Sequence, residues 1–259
     1  MINFIAGGKM GDFIHSLFVV KNICQQQNQQ AHIYLSNQGD AWRFGLQKAY
    51  DDLKDFVMSQ SYIDKFEILS KPLQDTFIDL NSWRANLGNI NPTIGSYTKC
   101  WSDVLSQHYH FPISKEQYQW LHAYPNRLSH NKIVISRTHY RHNSAFPWPQ
   151  IMNNPPCSAI FLASNMVEWN KFPYKSPHIT LHQATSISEM ASIIGSCKMF
   201  IGNQSAPFAI ASALDIPRLV ELELDPAMFY MGETKYSNNI SWFLNDQMKH
   251  NSPNSIVQV

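Results

Sequence analysis

The residues near the start of the chain with the most chemical potential lie in the stretch GGKMGDFIHSL, residues 7–17. Glycines and a lysine lead to Asp12, which we predict to be a helix N-cap, and His15 follows on the same helix face. A carboxylate in this position either caps the helix or serves as a general base. The histidine either hydrogen-bonds Asp12 or a ligand, or is buried for structural reasons.

The glycines of this loop do not match the common phosphate-binding patterns. A nucleotide-triphosphate loop has the form GxxxxGK[ST], and this stretch lacks the closing lysine with serine or threonine. The spacing of Gly7, Gly8 and Gly11 also differs from the dinucleotide pattern GxGxxG. The loop is therefore a small-residue loop that ends in a carboxylate.

Two loops of the second half carry groups suited to an anion. The stretch SRTHYRHNSAFPWP, residues 136–149, contains Arg137 and Arg141, and arginine grips a phosphate with two parallel hydrogen bonds. Further on, Ser205 is a predicted N-cap before a helix from Ala206, whose free amides and dipole favour a diphosphate. A solvated basic loop and an ordinary strand-to-helix turn are the structural alternatives.

Composition restricts the class of protein. The chain has 259 residues, 44 % of them hydrophobic, and 20 basic against 19 acidic residues, so we expect no nucleic-acid partner. Its cysteines have neither CxxC nor zinc-ligand spacing, which favours reduced thiols in a cytoplasmic protein. No apolar stretch approaches the ~20 residues that span a bilayer. Work at the inner face of a membrane stays open, as does the oligomeric state.

The elements that must position these residues alternate between strands and helices. Predicted strands lie at 2–6, 31–37, 66–70, 76–80, 132–137, 158–164, 178–183, 198–203 and 217–224. Predicted helices begin near 13 and lie at 41–57, 99–109, 186–196 and 206–214, with a long loop at 81–98. This alternation predicts an α/β fold with parallel sheets, whose strand ends gather the candidate loops.

The pattern is interrupted near 112–131, which divides the chain into two predicted domains. We expect an N-terminal domain over 1–120, a C-terminal domain over 130–245, and a tail over 246–259.

The string KMGDFIHSL resembles the first loop of the ADP-heptose:lipopolysaccharide heptosyltransferase family. The resemblance implies the GT-B architecture, in which two Rossmann-like domains face each other across a cleft. It also implies that Asp12 is the catalytic base, with His15 beside it, and that the acceptor-side loop consists of Gly8, Lys9, Met10 and Gly11. In this architecture the last helix often returns to the first domain, and residues 237–250 are the candidate.

Loops of the second half are similar to the same family. Residues 198–216 resemble its strand, polar turn and small-residue helix, although the family often has a histidine there and this chain has none. Thr138 and Arg141 before Trp148-Pro149 resemble a second pattern, in which lysine is more usual than arginine. The implied donor-binding residues are Arg137, Thr138, Arg141, Ser164, Glu168, Asn203, Gln204, Ser205 and Ala206.

The resemblance implies an inverting glycosyltransferase that takes a nucleotide-diphosphate sugar as co-substrate and needs no cofactor. The chain lacks an Asp-x-Asp triad, so we expect a metal-independent reaction in which arginine and helix amides stabilise charge. The expected acceptor is a hydroxyl of a glycan, a lipopolysaccharide-like glycolipid or another glycoconjugate. A sugar-nucleotide epimerase or hydrolase, and a non-catalytic nucleotide-sugar-binding protein, remain as alternatives.

Overall fold

The structure is a computed structural model that describes residues 1–38, 41–86, 101–112, 119–153, 158–221 and 240–243. These residues form two compact units. The first contains the described residues up to 86 together with 101–112 and 119–122, and the second contains those from 123 onward.

The first unit is a parallel four-stranded sheet with helices. Its elements are β1 (Ile2–Ala6), α1 (Met10–Gln27), β2 (Ala31–Leu35), α2 (Leu46–Met58), β3 (Ile63–Ile68), β4 (Ile78–Asp79), a 3₁₀ helix (Ser82–Asn86) and α3 (Trp101–Tyr109). The strand order is β3-β2-β1-β4, and every pairing is parallel. The carboxyl ends of β1 and β4 therefore lie side by side.

Helix α1 is fixed by the core of this unit. Phe13, Leu17 and Phe18 are buried, and the Phe18 ring packs edge-on against Trp120 at 5.3 Å between centroids. The Trp120 indole also donates a hydrogen bond of 2.9 Å to the Ile14 carbonyl. These contacts hold the first turn of α1 at the end of β1.

The second unit is a parallel six-stranded sheet. Its elements are β5 (Ile133–Ser136), α4 (Trp148–Asn153), β6 (Ala159–Ala163), α5 (Met166–Lys171), β7 (Ile179–Gln183), α6 (Ile187–Gly195), β8 (Met199–Asn203), α7 (Ala206–Ala213), β9 (Arg218–Glu221) and β10 (Ile240–Phe243). The strand order is β10-β9-β8-β5-β6-β7, again all parallel. Strands β5, β8 and β9, which precede or follow the candidate loops, are neighbours.

The predicted α/β class with parallel sheets is confirmed, and several local predictions are corrected. The second helix begins at Leu46 instead of 41, because Gly45 adopts a positive φ of 89° that ends the preceding turn. The strand expected at 66–70 runs over Ile63–Ile68. Helices α4 and α5 lie in stretches where we predicted no helix, and the 3₁₀ helix lies in the predicted long loop.

A further correction concerns the expected last helix over 237–250. Its described part, Ile240–Phe243, is a strand that pairs with β9, in keeping with its β-branched and aromatic residues. The rest of that stretch, the tail 246–259, Cys100 and Cys157 lie outside the described residues. Cys24 and Cys197 are buried free thiols, and burial raises their pKa values to about 11 and about 12. None of the described helices is long and apolar enough to cross a bilayer.

Candidate functional site

The loop between β1 and α1 has a backbone that requires glycine. A Cβ on Gly7 would lie 2.2 Å from the Gln38 carbonyl oxygen, so no side chain fits there. Gly8 has a φ of 97°, in the left-handed region that favours glycine. The glycines thus allow the chain to turn sharply from the strand into the helix.

Asp12 lies in the first turn of α1, and our prediction that it is the N-cap is wrong. The N-cap is Lys9, because the helix already begins at Met10 and includes Gly11. A carboxylate in the first turn still benefits from the positive end of the helix dipole. Its side chain is 26 % exposed, so it is accessible to a substrate.

The carboxylate of Asp12 is paired with an arginine from the 3₁₀ helix that follows β4. Arg84 Nη2 donates to Asp12 Oδ2 at 2.5 Å. The guanidinium of Arg84 also lies over the buried Trp83 ring, 4.7 Å from its centroid. The 3₁₀ helix therefore delivers a cation to the carboxyl end of β1.

Asn81, just before the 3₁₀ helix, is hydrogen-bonded to the glycine loop. With its side-chain amide oriented so that both of its polar atoms are satisfied, Asn81 donates to the Gly7 carbonyl and accepts from the Gly7 amide, at 3.0 Å each. Nearby, Ser82 Oγ lies 2.9 Å from His108 Nε2 on α3. Burial, and next the charge of His110, lower the pKa of His108, which keeps this imidazole neutral at pH 7.

His15, predicted beside Asp12, is 2 % exposed. Its ring lies against Trp120, with 6.0 Å between the centroids. The side chain thus supports α1 from the core side, and a substrate does not reach it in this arrangement.

In the second unit, Asn203 shapes the loop after β5. It is fully buried, and its Oδ1 accepts from the Thr138 amide at 3.1 Å. Its Nδ2 donates to the Thr138 hydroxyl at 2.9 Å and to the Tyr140 carbonyl at 2.5 Å. Asn203 and Thr138 were predicted to bind the donor; the structure places them beneath the loop as its scaffold.

The loop that Asn203 shapes presents Arg141 beside the amino end of α7. Arg141 has a φ of 61°, which is rare for a residue with a side chain and is held by the Asn203 contact to its carbonyl at 3.3 Å. Arg141 Nη1 donates to the Gln204 carbonyl at 2.9 Å. The guanidinium is half-buried and adjoins the residue that precedes the N-cap of α7.

Ser205 is the N-cap of α7, as predicted, and the helix begins at Ala206. Its hydroxyl does not cap the helix; it donates to the Asn203 carbonyl at 3.1 Å. The positive end of the α7 dipole and the Arg141 cation therefore lie side by side at the carboxyl end of β8. Such a pairing is suited to a diphosphate.

Arg137, which we predicted to bind the donor, is buried and forms an ion pair within the protein. Its Nε and Nη2 donate to the two carboxylate oxygens of Glu221, at 2.6 Å and 2.8 Å. Glu221 is fully buried and also accepts from the Trp148 indole at 3.1 Å and the Asn143 amide at 2.9 Å. Nε and Nη2 of Arg137 are therefore both occupied by a carboxylate of the protein itself.

Glu168 and Ser164 form a local contact at the end of β6. Ser164 is exposed, and its amide donates to Glu168 Oε2 at 2.8 Å. Glu168 is 6 % exposed and lies in the first turn of α5, after the N-cap Asn165. This contact organises the turn from β6 into α5.

Sequence reasoning missed three residues of these sites: Arg84, Asn81 and Glu221. Glu221 ends β9, and Asn81 and Arg84 lie in the segment that follows β4, so the rule that ligands collect at strand ends contained the signal. Glu221 carried a second signal, since a carboxylate within the apolar run of a buried strand needs a partner. Within the described ranges, no group of three or more His, Cys, Asp or Glu residues could hold a metal ion.

Comparisons with known proteins identify the fold. The chain matches no protein-family model and no curated protein. Among solved structures, it is similar to a glycosyl transferase family 9 protein from Veillonella parvula, at 11 % identity and a TM-score of 0.57, over 96 % of this chain and 89 % of that chain. It thus has the fold of the GT-B glycosyltransferases.

Two enzymes from E. coli share this fold. Heptosyltransferase WaaC, solved with ADP-2-deoxy-2-fluoro heptose, has 9 % identity and a TM-score of 0.54, over 93 % of this chain and 92 % of that chain. ADP-heptose LPS heptosyltransferase II has 10 % identity and a TM-score of 0.53, over 94 % of this chain and 90 % of that chain. The predicted structural resemblance to heptosyltransferases is therefore confirmed.

Proposed function

We propose that this chain is an inverting glycosyltransferase that moves a sugar from a nucleotide-diphosphate sugar to an acceptor hydroxyl. The observation that carries the proposal is a partly exposed carboxylate, Asp12, in the first turn after β1, in a chain whose fold is that of heptosyltransferases. The WaaC structure contains an ADP-sugar analogue, which favours a nucleoside diphosphate as the leaving group here as well.

In the proposed reaction, Asp12 takes the proton of the acceptor hydroxyl as its oxygen bonds to the anomeric carbon. The bond from that carbon to the diphosphate breaks on the opposite face, and the nucleoside diphosphate leaves with the electron pair. A carboxylate suffices as base, because the hydroxyl becomes acidic as it bonds to an oxocarbenium-like centre. The product has the inverted configuration.

The proposed donor site lies in the second unit, where Arg141 and the amino end of α7 meet. Arg141 and the helix dipole supply positive charge for the departing diphosphate, a role that metal ions fill in other transferases. We propose that no metal takes part. The acceptor is a hydroxyl of a glycan or glycolipid, bound by the first unit near Asp12 and the loop at 7–11.

A thermal-shift screen against ADP, UDP, GDP and their sugars tests the donor site first. A ligand at a hundredfold excess over its Kd stabilises the native state by about 2.7 kcal/mol. We expect a selective shift with one nucleotide, followed by release of that diphosphate when lipopolysaccharide or simple glycosides are added. Diphosphate release without any acceptor would favour a hydrolase, and binding without turnover would favour a non-catalytic protein.

A further inference from the structure

The proposed function assigns no task to Arg84, although this residue contacts the proposed base. Its Nη2 donates to Asp12 Oδ2 at 2.5 Å. In the part of the chain that the structure describes, Oδ1 of Asp12 accepts no hydrogen bond. One oxygen of the carboxylate is thus held and the other is available to a ligand.

The position of Arg84 is set by several independent contacts. Its guanidinium stacks on Trp83, which is 4 % exposed, and its backbone amide donates to the Asn81 carbonyl at 3.0 Å. The Asn81 side chain in turn hydrogen-bonds both the carbonyl and the amide of Gly7, two residues before the N-cap of α1. Both ends of the Arg84–Asp12 contact are therefore tied to the same glycine loop.

Stability does not account for this arrangement. The two side chains are 25 % and 26 % exposed, and ion pairs with this degree of exposure contribute little to folding. By contrast, fixing a reactive group in one orientation has a large effect on rate, since small displacements of a catalytic group cost about a hundredfold. The contact is therefore better explained by the chemistry of Asp12 than by the fold.

We propose that Arg84 is the positioning residue of Asp12: it fixes the carboxylate through Oδ2 so that Oδ1 faces the acceptor hydroxyl. This inference rests on the proposed transferase function. The proton still passes from the hydroxyl to Asp12, and Arg84 neither gains nor loses one. The positive charge of Arg84 also reduces the electrostatic repulsion between the Asp12 carboxylate and an approaching anionic donor.

The test compares Arg84→Met with Arg84→Lys and with Arg43→Met, a matched control on an exposed arginine of the same unit. Transfer is followed as nucleoside diphosphate released from ADP-heptose in the presence of lipopolysaccharide. We expect Arg84→Met to lower kcat about a hundredfold without changing donor KM or Tm. Arg84→Lys restores part of the rate, because it keeps the charge, and Arg43→Met behaves like the wild type.

Arg84→Met in an Asp12→Asn background distinguishes an effect on kcat that acts through Asp12 from one that does not involve Asp12. With no base to orient, Arg84→Met has almost no further effect on kcat, so the two losses are strongly non-additive. An equal loss in both backgrounds overturns the inference, as does an unchanged kcat in Arg84→Met.

A measurement without turnover keeps the two proposals distinguishable. The carboxyl ¹³C resonance of Asp12, assigned by its loss in Asp12→Asn, is expected to move in Arg84→Met and to stay in place in Arg43→Met. If the wild-type chain transfers no sugar from any donor, the proposed function and the positioning role both fall, even where the resonance confirms the contact. If the wild type is active and the resonance does not move, Arg84 does not hold Asp12.

Discussion

Two arginine–carboxylate pairs of this molecule have the same chemistry and opposite surroundings. In the first unit, Arg84 and Asp12 share one hydrogen bond, and their side chains are 25 % and 26 % exposed. In the second unit, Arg137 and Glu221 share two hydrogen bonds, and their side chains are 10 % and 0 % exposed. Glu221 accepts two further bonds, from Trp148 and Asn143.

The difference indicates what each pair is for. The lone pairs of Glu221 are filled by protein donors, so this carboxylate serves as a structural centre for the loop at 137–148. Asp12 keeps one oxygen available at a partly exposed helix start, which is what a base requires. Partner count and exposure thus separate Glu221, whose oxygens are all occupied by protein donors, from Asp12, the proposed base.

The largest expected effect on folding comes from the buried pair. Glu221→Gln leaves the Arg137 cation uncompensated in the interior, and breaking a buried pair in this way costs about 3–5 kcal/mol of unfolding free energy. Chemical denaturation with circular dichroism measures this loss. The double substitution Arg137→Met with Glu221→Leu is expected to recover only part of it, because no charge is then left unpaired but the Trp148 indole and the Asn143 amide still lose their acceptor.

A small loss of stability in Glu221→Gln would contradict the distinction between the buried Arg137–Glu221 pair and the exposed Arg84–Asp12 pair. A loss below about 1 kcal/mol, the value for an exposed pair, would mean that this pair is solvated in solution. Arg137 would then return to the set of cations available to a donor phosphate.

The next effect concerns the donor. Arg141→Gln removes the guanidinium beside α7, and charge-assisted hydrogen bonds contribute about 1.5–3 kcal/mol each. We therefore expect donor affinity to fall about tenfold to a hundredfold, measured by calorimetry with the nucleotide found in the screen. Arg127→Gln, on an exposed arginine of the same unit, is the control and leaves the affinity unchanged. Equal affinity in both variants would move the diphosphate site away from Arg141.

Stability of the first unit is expected to respond weakly. Asp12→Asn and Arg84→Met each remove the exposed pair, and such pairs contribute about 0–1 kcal/mol. The same denaturation experiment measures both variants beside Glu221→Gln. If either lowered the unfolding free energy by several kcal/mol, the pair would be a structural one like Arg137–Glu221.

The smallest effect involves Glu189, whose side-chain exposure of 28 % is close to that of Asp12. Hydrogen bonds from the Thr185 amide and hydroxyl, and next from His182, lower its pKa below the ordinary 4.5. Its folded pKa is depressed, so its contribution to stability is present above pH 4.5 and disappears as the pH falls through the folded value. Glu189→Gln thus has a slightly lower unfolding free energy than the wild type at pH 7. Denaturation of both proteins at decreasing pH is expected to show that this difference disappears. A difference in unfolding free energy that does not shrink as the pH falls would contradict this assignment.

The sequence predicted those features that depend on local pattern. Alternating apolar runs gave the parallel sheets, and the serine before a small-residue helix gave the N-cap Ser205. Three other features depend on contacts that the pattern does not contain. The first is the start of α1: the helix begins at Met10 and includes Gly11, so the expected cap at Asp12 was wrong. The other two are ion pairs, because Asp12 lies 72 residues from Arg84 and Glu221 lies 84 residues from Arg137 in the sequence.

The role of Asp12 as base is the central claim, and transfer by Asp12→Asn tests it most directly, with Glu189→Gln as a control of matched exposure. We predict that Asp12→Asn lowers turnover about 10²- to 10⁴-fold while the donor-induced rise in Tm stays intact, since base catalysis contributes that much. Glu189→Gln is predicted to transfer sugar at the wild-type rate. Near-normal transfer by Asp12→Asn would contradict the claim, and Asp12 would then serve the fold alone.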